Sequence, residues 1–234
     1  ASPQVIRSCP TVMERISKVR EFRLASKKPA TRAKSETPTL FDEIREPVTD
    51  YVALPKVSSE NRKYIPIDYL KQEVIPGDKL FVLSGSTLYH FGVLNSSVHM
   101  AWMRAVCGRL EMRYSYSNTI VYNNFPWPDV GERGDSEKTP NLQNSQSPSN
   151  ESNHSESLRQ KIESTAQAIL DARSLYPDSS LADLYDPLTM PIELRKAHAA
   201  NDVAIMKAYG LAPHTSEPEI VAHLFRLYSE KVSL

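Results

Sequence analysis

Apolar residues recur at helical spacing near the start of the chain. In residues 11–25, TVMERISKVREFRLA, Val12, Ile16, Val19 and Phe22 or Arg23 fall on one side, which predicts an amphipathic helix with a basic outer face. Prolines and polar residues in SKKPATRAKSETPT end that pattern. From Asp50 the texture changes to short apolar or alternating runs: YVALPKV, KYIPIDYL, KLFVLSG, TLYHFGVL and NTIVYNNF. They are rich in β-branched and aromatic residues, are divided by Pro, Gly, Ser and Asn, and read as strands. Between the last two, SSVHMAWMRAVCGRL reads as a helix capped by Ser96 or Ser97 and stopped near Gly108. The first 130 residues therefore predict an α+β arrangement.

The stretch GERGDSEKTPNLQNSQSPSNESNHSES has almost nothing to bury and reads as a flexible connector. Beyond it the periodicity is helical throughout. Leu158, Ile162, Ala166, Ile169 and Leu170 make one face. Pro191 sits where a first helical turn tolerates it, and Gly210 reads as a C-cap. Ser216-Glu217-Pro218-Glu219 is a capping box that opens a last helix carrying Ile220, Leu224 and Leu227. The expected organisation is a mixed α/β module over 1–130, a connector over 131–156 and a small all-helical module over 157–234.

Composition narrows the class. The 234 residues are 40% hydrophobic and 24% charged with zero net charge, as in an ordinary globular protein with no global pull toward nucleic acid. Locally the balance differs. Arg7, Arg15, Lys18, Arg20, Arg23, Lys27, Lys28, Arg32 and Lys34 face only Glu14 and Glu21. A phosphate-binding stripe and a solvated helix face account for this equally well. No apolar run approaches membrane-spanning length, and no signal-peptide pattern opens the chain, so no membrane partner is expected. Cys9 and Cys107 are too few for a disulfide framework or a zinc site, which suggests a reducing cytoplasm. The opening ASPQVIRSCP lacks a Met and suggests a piece of a longer protein.

One stretch, IVYNNFPWP (120–128), resembles the acid-or-amide, Pro, Pro, aromatic motif with which amino-methyltransferases hold a base amino group. Here Phe125 separates Asn124 from Pro126, and Trp127 separates the two prolines. The chain has 7 glycines, none arranged as G-x-G for S-adenosylmethionine, and no alternating βαβ pattern. An Asn-Asn turn followed by an apolar plug of Phe125 and Trp127 is the better reading. Walker, H-E-x-x-H and G-x-S-x-G signatures are absent. For a nuclease, Asp178 and Glu193 are present but Lys196 comes one residue late. His90, His99, His198, His214 and His223 are scattered and read as packed or surface residues.

GRLEMRYSYSN (108–118) is better suited to recognition. If it is extended, Arg109, Glu111, Arg113, Ser115 and Ser117 share one face, and Leu110, Met112, Tyr114 and Tyr116 the other. An acid–base row can match base edges, with Arg on guanine and Glu on the cytosine amino group. A surface strand carrying a weak ion pair between Glu111 and Arg113 fits the same residues.

PKVSSENRKYIP (55–66), TLYHFGVLNSSVHMAWMRAVCGRLEMRYSYSNTIVYNNFPWP (87–128) and SSLADLYDPLTMPIELRKAHAANDVAIMKAYG (179–210) resemble the C-terminal part of the MmeI-like family. These are large bacterial adenine-specific DNA methyltransferases, many of them fused to a nuclease as single-chain restriction–modification enzymes. The resemblance implies a target recognition domain followed by a C-terminal helical segment, with the catalytic motif and S-adenosylmethionine in a methyltransferase domain upstream and none in this stretch. It implies that NNFPWP ends the recognition domain and has no part in methyl transfer. It further implies double-stranded DNA as partner, with base reading by Glu111 and Arg113, a contribution from Ser115, and another from the variable loop around Asp78 and Lys79. Ser58, Ser59, Asn61, Arg62 and Lys63, with Arg109, are expected to hold the DNA backbone. The alternatives are a stretch that is itself catalytic, by methyl transfer or DNA cleavage, and a helical tail that serves as a protein-interaction module.

Overall fold

The computed structural model describes residues 2–41, 46–130 and 151–233. The chain divides into two compact units, Ala1–Glu46 and Pro47–Leu234.

The first unit is a set of short helices: α1 (Pro3–Arg7), α2 (Pro10–Leu24), α3 (Pro29–Ala33) and a 3-10 turn at Lys34–Glu36. Each of the three α-helices starts with a proline, whose missing N–H is no loss in a first turn. The predicted helix is α2, but its apolar stripe stays uncovered, with Phe22 76% exposed. A unit this small cannot enclose a core of its own. Arg23 tightens it instead, donating to the carbonyls of Lys34, Thr37 and Leu40 at 2.9, 2.8 and 2.7 Å.

The second unit mixes sheets and helices. Strand β1 (Tyr51–Pro55) lies between β3 (Asp68–Leu70) and β4 (Leu80–Ser84), antiparallel to both. A second sheet has the order β2 (Val57–Ser58), β6 (Arg113–Ser115), β5 (Gly108–Leu110), again antiparallel. Helices α4 (Leu88–Leu94) and α5 (Ser97–Val106) lie between these strands in sequence. Then come α6 (Glu151–Ser174), α7 (Leu181–Leu184), α8 (Ile192–Ala208) and α9 (Glu217–Val232). The α5 helix has its N-cap at Ser96, whose hydroxyl accepts from the His99 N–H. The Ser216–Glu219 capping box forms, and Gly210 closes α8 with a positive φ of 67°. There the N–H groups of Gly210 and Leu211 reach the carbonyls of Lys207 and Met206, a Schellman closure.

Three expectations are corrected. TLYHFGVL is helix α4 rather than a strand. Tyr89, Phe91, Gly92, Val93 and Leu94 are all buried, so the 3.6-residue period that marks a surface helix is lost. The Thr87 N–H bonds to His90 Nδ1 at 3.1 Å and starts the helix locally. NTIVY is a single wide π-type turn, Asn118–Tyr122. Side chains satisfy its backbone in place of a neighbouring strand: Trp102 Nε1 donates to Val121 O at 2.9 Å, and Asn124 Nδ2 donates to Thr119 O and Ile120 O. The connector expected to reach 156 gives way to helix from Glu151, and its remainder, 131–150, lies outside the described residues.

The core runs from the sheets into the C-terminal helices without a break. Ile162, Ala166 and Ile169 of α6 are buried together with Phe91, Leu194 and Ile205. Trp102 meets Phe125 from the chain before the connector and Phe225 and Tyr228 from α9. The tight point is Gly92, whose carbonyl accepts from Asn201 Nδ2 at 2.8 Å. A Cβ there would come within 3.0 Å of Ile162 and 3.1 Å of Ala166. Gly92→Ala is expected to cost about 1–3 kcal/mol, read as a lower urea midpoint, because α4 and α6 must part.

Two histidines are enclosed. Burial lowers His99 to about 4, and burial together with the Arg173 charge lowers His198 to about 3. Both fold as neutral rings, while the unfolded chain takes up protons near 6.5. Their contribution is therefore full above pH 6.5 and is lost as pH falls toward 4 and 3. Stability measured by urea melts should fall by up to about 1.4 kcal/mol per pH unit for each ring, and His99→Gln should flatten that slope.

Candidate nucleic-acid interface

Lys56 is where β1 passes into β2 and the chain moves from one sheet to the other. Its N–H donates to Lys79 O and its carbonyl accepts from the Tyr116 N–H, both at 2.9 Å. These two bonds bring three segments far apart in sequence to one place. They are the loop before β4 with Asp78 and Lys79, the 57–63 segment, and the β5–β6 hairpin.

The hairpin replaces the continuous extended row expected over 108–118. Leu110 pairs with Arg113, which leaves Glu111 and Met112 as a two-residue turn. Arg113 and Ser115 still share a face of β6, while Tyr114 faces inward and is buried. Glu111 has φ +58°, the one positive value among described non-glycine residues. A two-residue hairpin turn asks for such a φ, and glycine is its usual occupant. Glutamate held there projects its carboxylate from the apex. Its Oε2 accepts from Arg113 Nη2 at 2.8 Å, with the two side chains 76% and 48% exposed. An ion pair so exposed is worth about 0–1 kcal/mol and can exchange partners readily. Met112 stands beside it, 70% exposed.

Arg109 is exposed but engaged. Its guanidinium lies 4.3 Å from the Tyr114 ring centre and donates to Met112 O at 3.3 Å, so it braces the turn. Asp78 and Lys79 form an exposed pair at 3.2 Å. In the 58–63 segment, Ser59 and Arg62 are half-buried and Asn61 and Lys63 exposed. Ser58 is buried and lies 3.5 Å from Arg62 Nη1, so its hydroxyl supports Arg62 instead of facing solvent. Tyr114 Oη donates to Glu60 O at 3.3 Å and ties this arc to the hairpin.

The NNFPWP stretch is occupied elsewhere. The Asn124 amide bonds its own turn, Pro126 O accepts from Tyr209 Oη at 2.8 Å, and Phe125 is buried. The stretch is thus folded into its own turn and against Tyr209. Among the described residues no cluster of His, Cys, Asp or Glu could hold a metal, and no helix is long and apolar enough to cross a membrane. A cavity of about 700 Å³ is lined by Tyr89, His90, Trp127, Arg159 and Tyr209 among others, and by none of the candidate readers.

Comparison with known proteins places this arrangement. The MmeI target recognition domain model matches residues 1–129, and the MmeI C-terminal domain model matches residues 154–234. The chain belongs to the MmeI family. A Bacillus subtilis (strain 168) relative, DNA methyltransferase A, is 34% identical over 98% of the chain, which spans 23% of that relative's length. A solved structure of the Type IIL restriction–modification enzyme MmeI in complex with DNA superposes with a TM-score of 0.79 at 42% identity. It covers all of this chain, and the chain covers 28% of it. The MmeI-family chain thus corresponds to the target recognition and C-terminal domains and spans about a quarter of the length of these relatives.

Sequence reasoning passed over Lys56 and Tyr64 in this MmeI-family chain. Lys56 acts through its backbone, which no side-chain pattern announces. The left-handed Glu111 generates a direct test. Glu111→Gly should leave the urea midpoint unchanged or raise it, since the replaced conformation costs a non-glycine residue on the order of 1 kcal/mol. Glu111→Val should lower it.

Proposed function

We propose that this chain reads duplex DNA and presents one adenine to a methyltransferase domain of the parent protein. The observation that carries the reading is the convergence at Lys56. Two exposed charged pairs and an arc of polar donors, predicted from three separate stretches, belong to segments joined where the chain passes from one sheet to the other. Glu111 can accept from a cytosine amino group, and Arg113 can make a bidentate contact to guanine O6 and N7. Ser115 lies on the same face as Arg113, and Asp78 and Lys79 in the loop before β4 contribute further. Asn61, Arg62 and Lys63 donate to phosphates, which set register without carrying sequence.

S-adenosylmethionine does not fit the residues described here. Both sheets are antiparallel, without the βα turn at the carboxyl end of a parallel strand that cradles such a cofactor. Methyl transfer to an adenine, flipped out of the stack, belongs to the rest of the parent protein. Whether that protein also cleaves DNA is independent of this reading. A bacterial cytoplasm is the compartment it implies.

The test is the motif methylated in cells by the full-length protein, read by single-molecule sequencing. Glu111→Lys with Arg113→Asp exchanges donor for acceptor and should change one motif position from C·G to G·C while the rest persists. Each mismatch should cost about 1–3 kcal/mol in binding. An unchanged motif in a protein that still methylates would remove these two residues from base reading.

A further inference from the structure

The segment 58–68 is held from the C-terminal helices at two points. Tyr64 is 2% exposed. Its hydroxyl donates to Asp202 Oδ2 of α8 at 2.6 Å, and its ring stacks on His198 of the same helix, 4.1 Å between centres and 21° apart. The other carboxylate oxygen, Oδ1, accepts from the Ser97 N–H at 2.7 Å, at the start of α5. Three and four residues on, Arg173 of α6 donates to Ile67 O at 2.8 Å and to Asp68 Oδ1 at 3.1 Å. Arg173 also reaches Tyr185 Oη, which sits 2.7 Å from His198 Nε2. The network is closed, with each member's charge or dipole met by a neighbour.

Between the anchor at Ser58, paired with Tyr114, and the anchor at Tyr64 lie Asn61, Arg62 and Lys63. No strand or helix fixes this arc. Besides the Tyr114–Glu60 and Arg62–Ser58 bonds it depends on its ends, and the Tyr64 end is held by α8. Lys63 even places its ammonium 5.2 Å over the Tyr64 ring. Burial raises the Asp202 carboxyl above its ordinary range, and the Tyr64 and Ser97 hydrogen bonds oppose that shift. Removing the Tyr64 hydroxyl would leave a buried acceptor short of a donor, and the local structure must move to repair it.

We infer that Asp202 and His198 of α8 are positioning residues for DNA binding: through Tyr64 they hold Arg62 and its neighbours where a phosphate is met. The C-terminal helices would then be part of the reading apparatus without touching a base. This rests on the proposal that the 58–63 arc contacts the DNA backbone, and the test separates the two.

The experiment measures duplex binding by the full-length protein as a function of salt, on its own methylated motif and on a scrambled duplex. The variants are Arg62→Ala, Tyr64→Phe, both together, Asp202→Ala and Asp202→Asn. Arg62→Ala alone should weaken both duplexes alike and flatten the salt slope by about one unit. Tyr64→Phe should weaken both duplexes by up to roughly tenfold, likewise flatten the slope, and leave the methylated motif unchanged. The double variant should be no weaker than Arg62→Ala, since both remove one interaction. Asp202→Asn, which can still bond Tyr64, should retain most of the binding that Asp202→Ala loses. Additive losses, or a Tyr64→Phe loss at unchanged salt slope, would mean general destabilisation and overturn the inference. So would wild-type binding by Tyr64→Phe. If Arg62→Ala itself binds like wild type, the phosphate reading of the arc fails, and this inference goes with it.

Discussion

Buried polar groups must find partners, and in this chain the partners sit on distant segments. Asp202, His198, Tyr185 and Arg173 come from the C-terminal helices; Tyr64, Ile67 and Asp68 come from the stretch that follows β2. Neither side could be enclosed without the other, because an unpaired buried carboxylate or guanidinium is costly. The apolar core follows the same seam. Gly92 lets α4 approach α6, and Trp102 is sandwiched by rings from before and after the connector. Two regions that match separate MmeI-family domain models are thus one packed unit from Pro47 onward.

On that rigid base the exposed chemistry is light. The candidate readers are short strand ends and tight turns whose backbones are pinned and whose side chains are solvated. The hairpin is closed by Leu110 and Arg113, braced by Arg109, and joined to the rest through Tyr114 and Lys56. The Glu111–Arg113 pair is weak and solvated on a pinned backbone, so little would be lost if either side chain took another partner. The left-handed φ at Glu111 is a local cost that a glycine would avoid. It places a carboxylate at the apex of the hairpin.

Helices with a clear cap or an apolar stripe could be read in advance. Helices α2, α5, α6, α8 and α9 occur where apolar periodicity and caps put them, down to Ser96, Gly210 and the Ser216–Glu219 box. Helix α4 could not, because it is buried on every side and its sequence has the texture of a strand. The 118–122 turn was illegible for another reason: its backbone is satisfied by Trp102 and Asn124 side chains, a solution that exists only after folding. The apolar stripe of α2 was visible, but its exposure was not.

The sequence by itself determined residue chemistry and local geometry: which stretches could cap, coil or turn, which carry acid and base side by side, and, through three ordered matches, the family. Tertiary structure decided adjacency. The loop at Lys79 and the end of the hairpin at Tyr116 meet because the two backbone groups of Lys56 bond different segments, and Tyr64 is fixed by a helix more than a hundred residues away. The physical reason is the same in both cases. A backbone group or a buried hydroxyl is indifferent to sequence distance, and only the folded chain brings its partner within 3 Å.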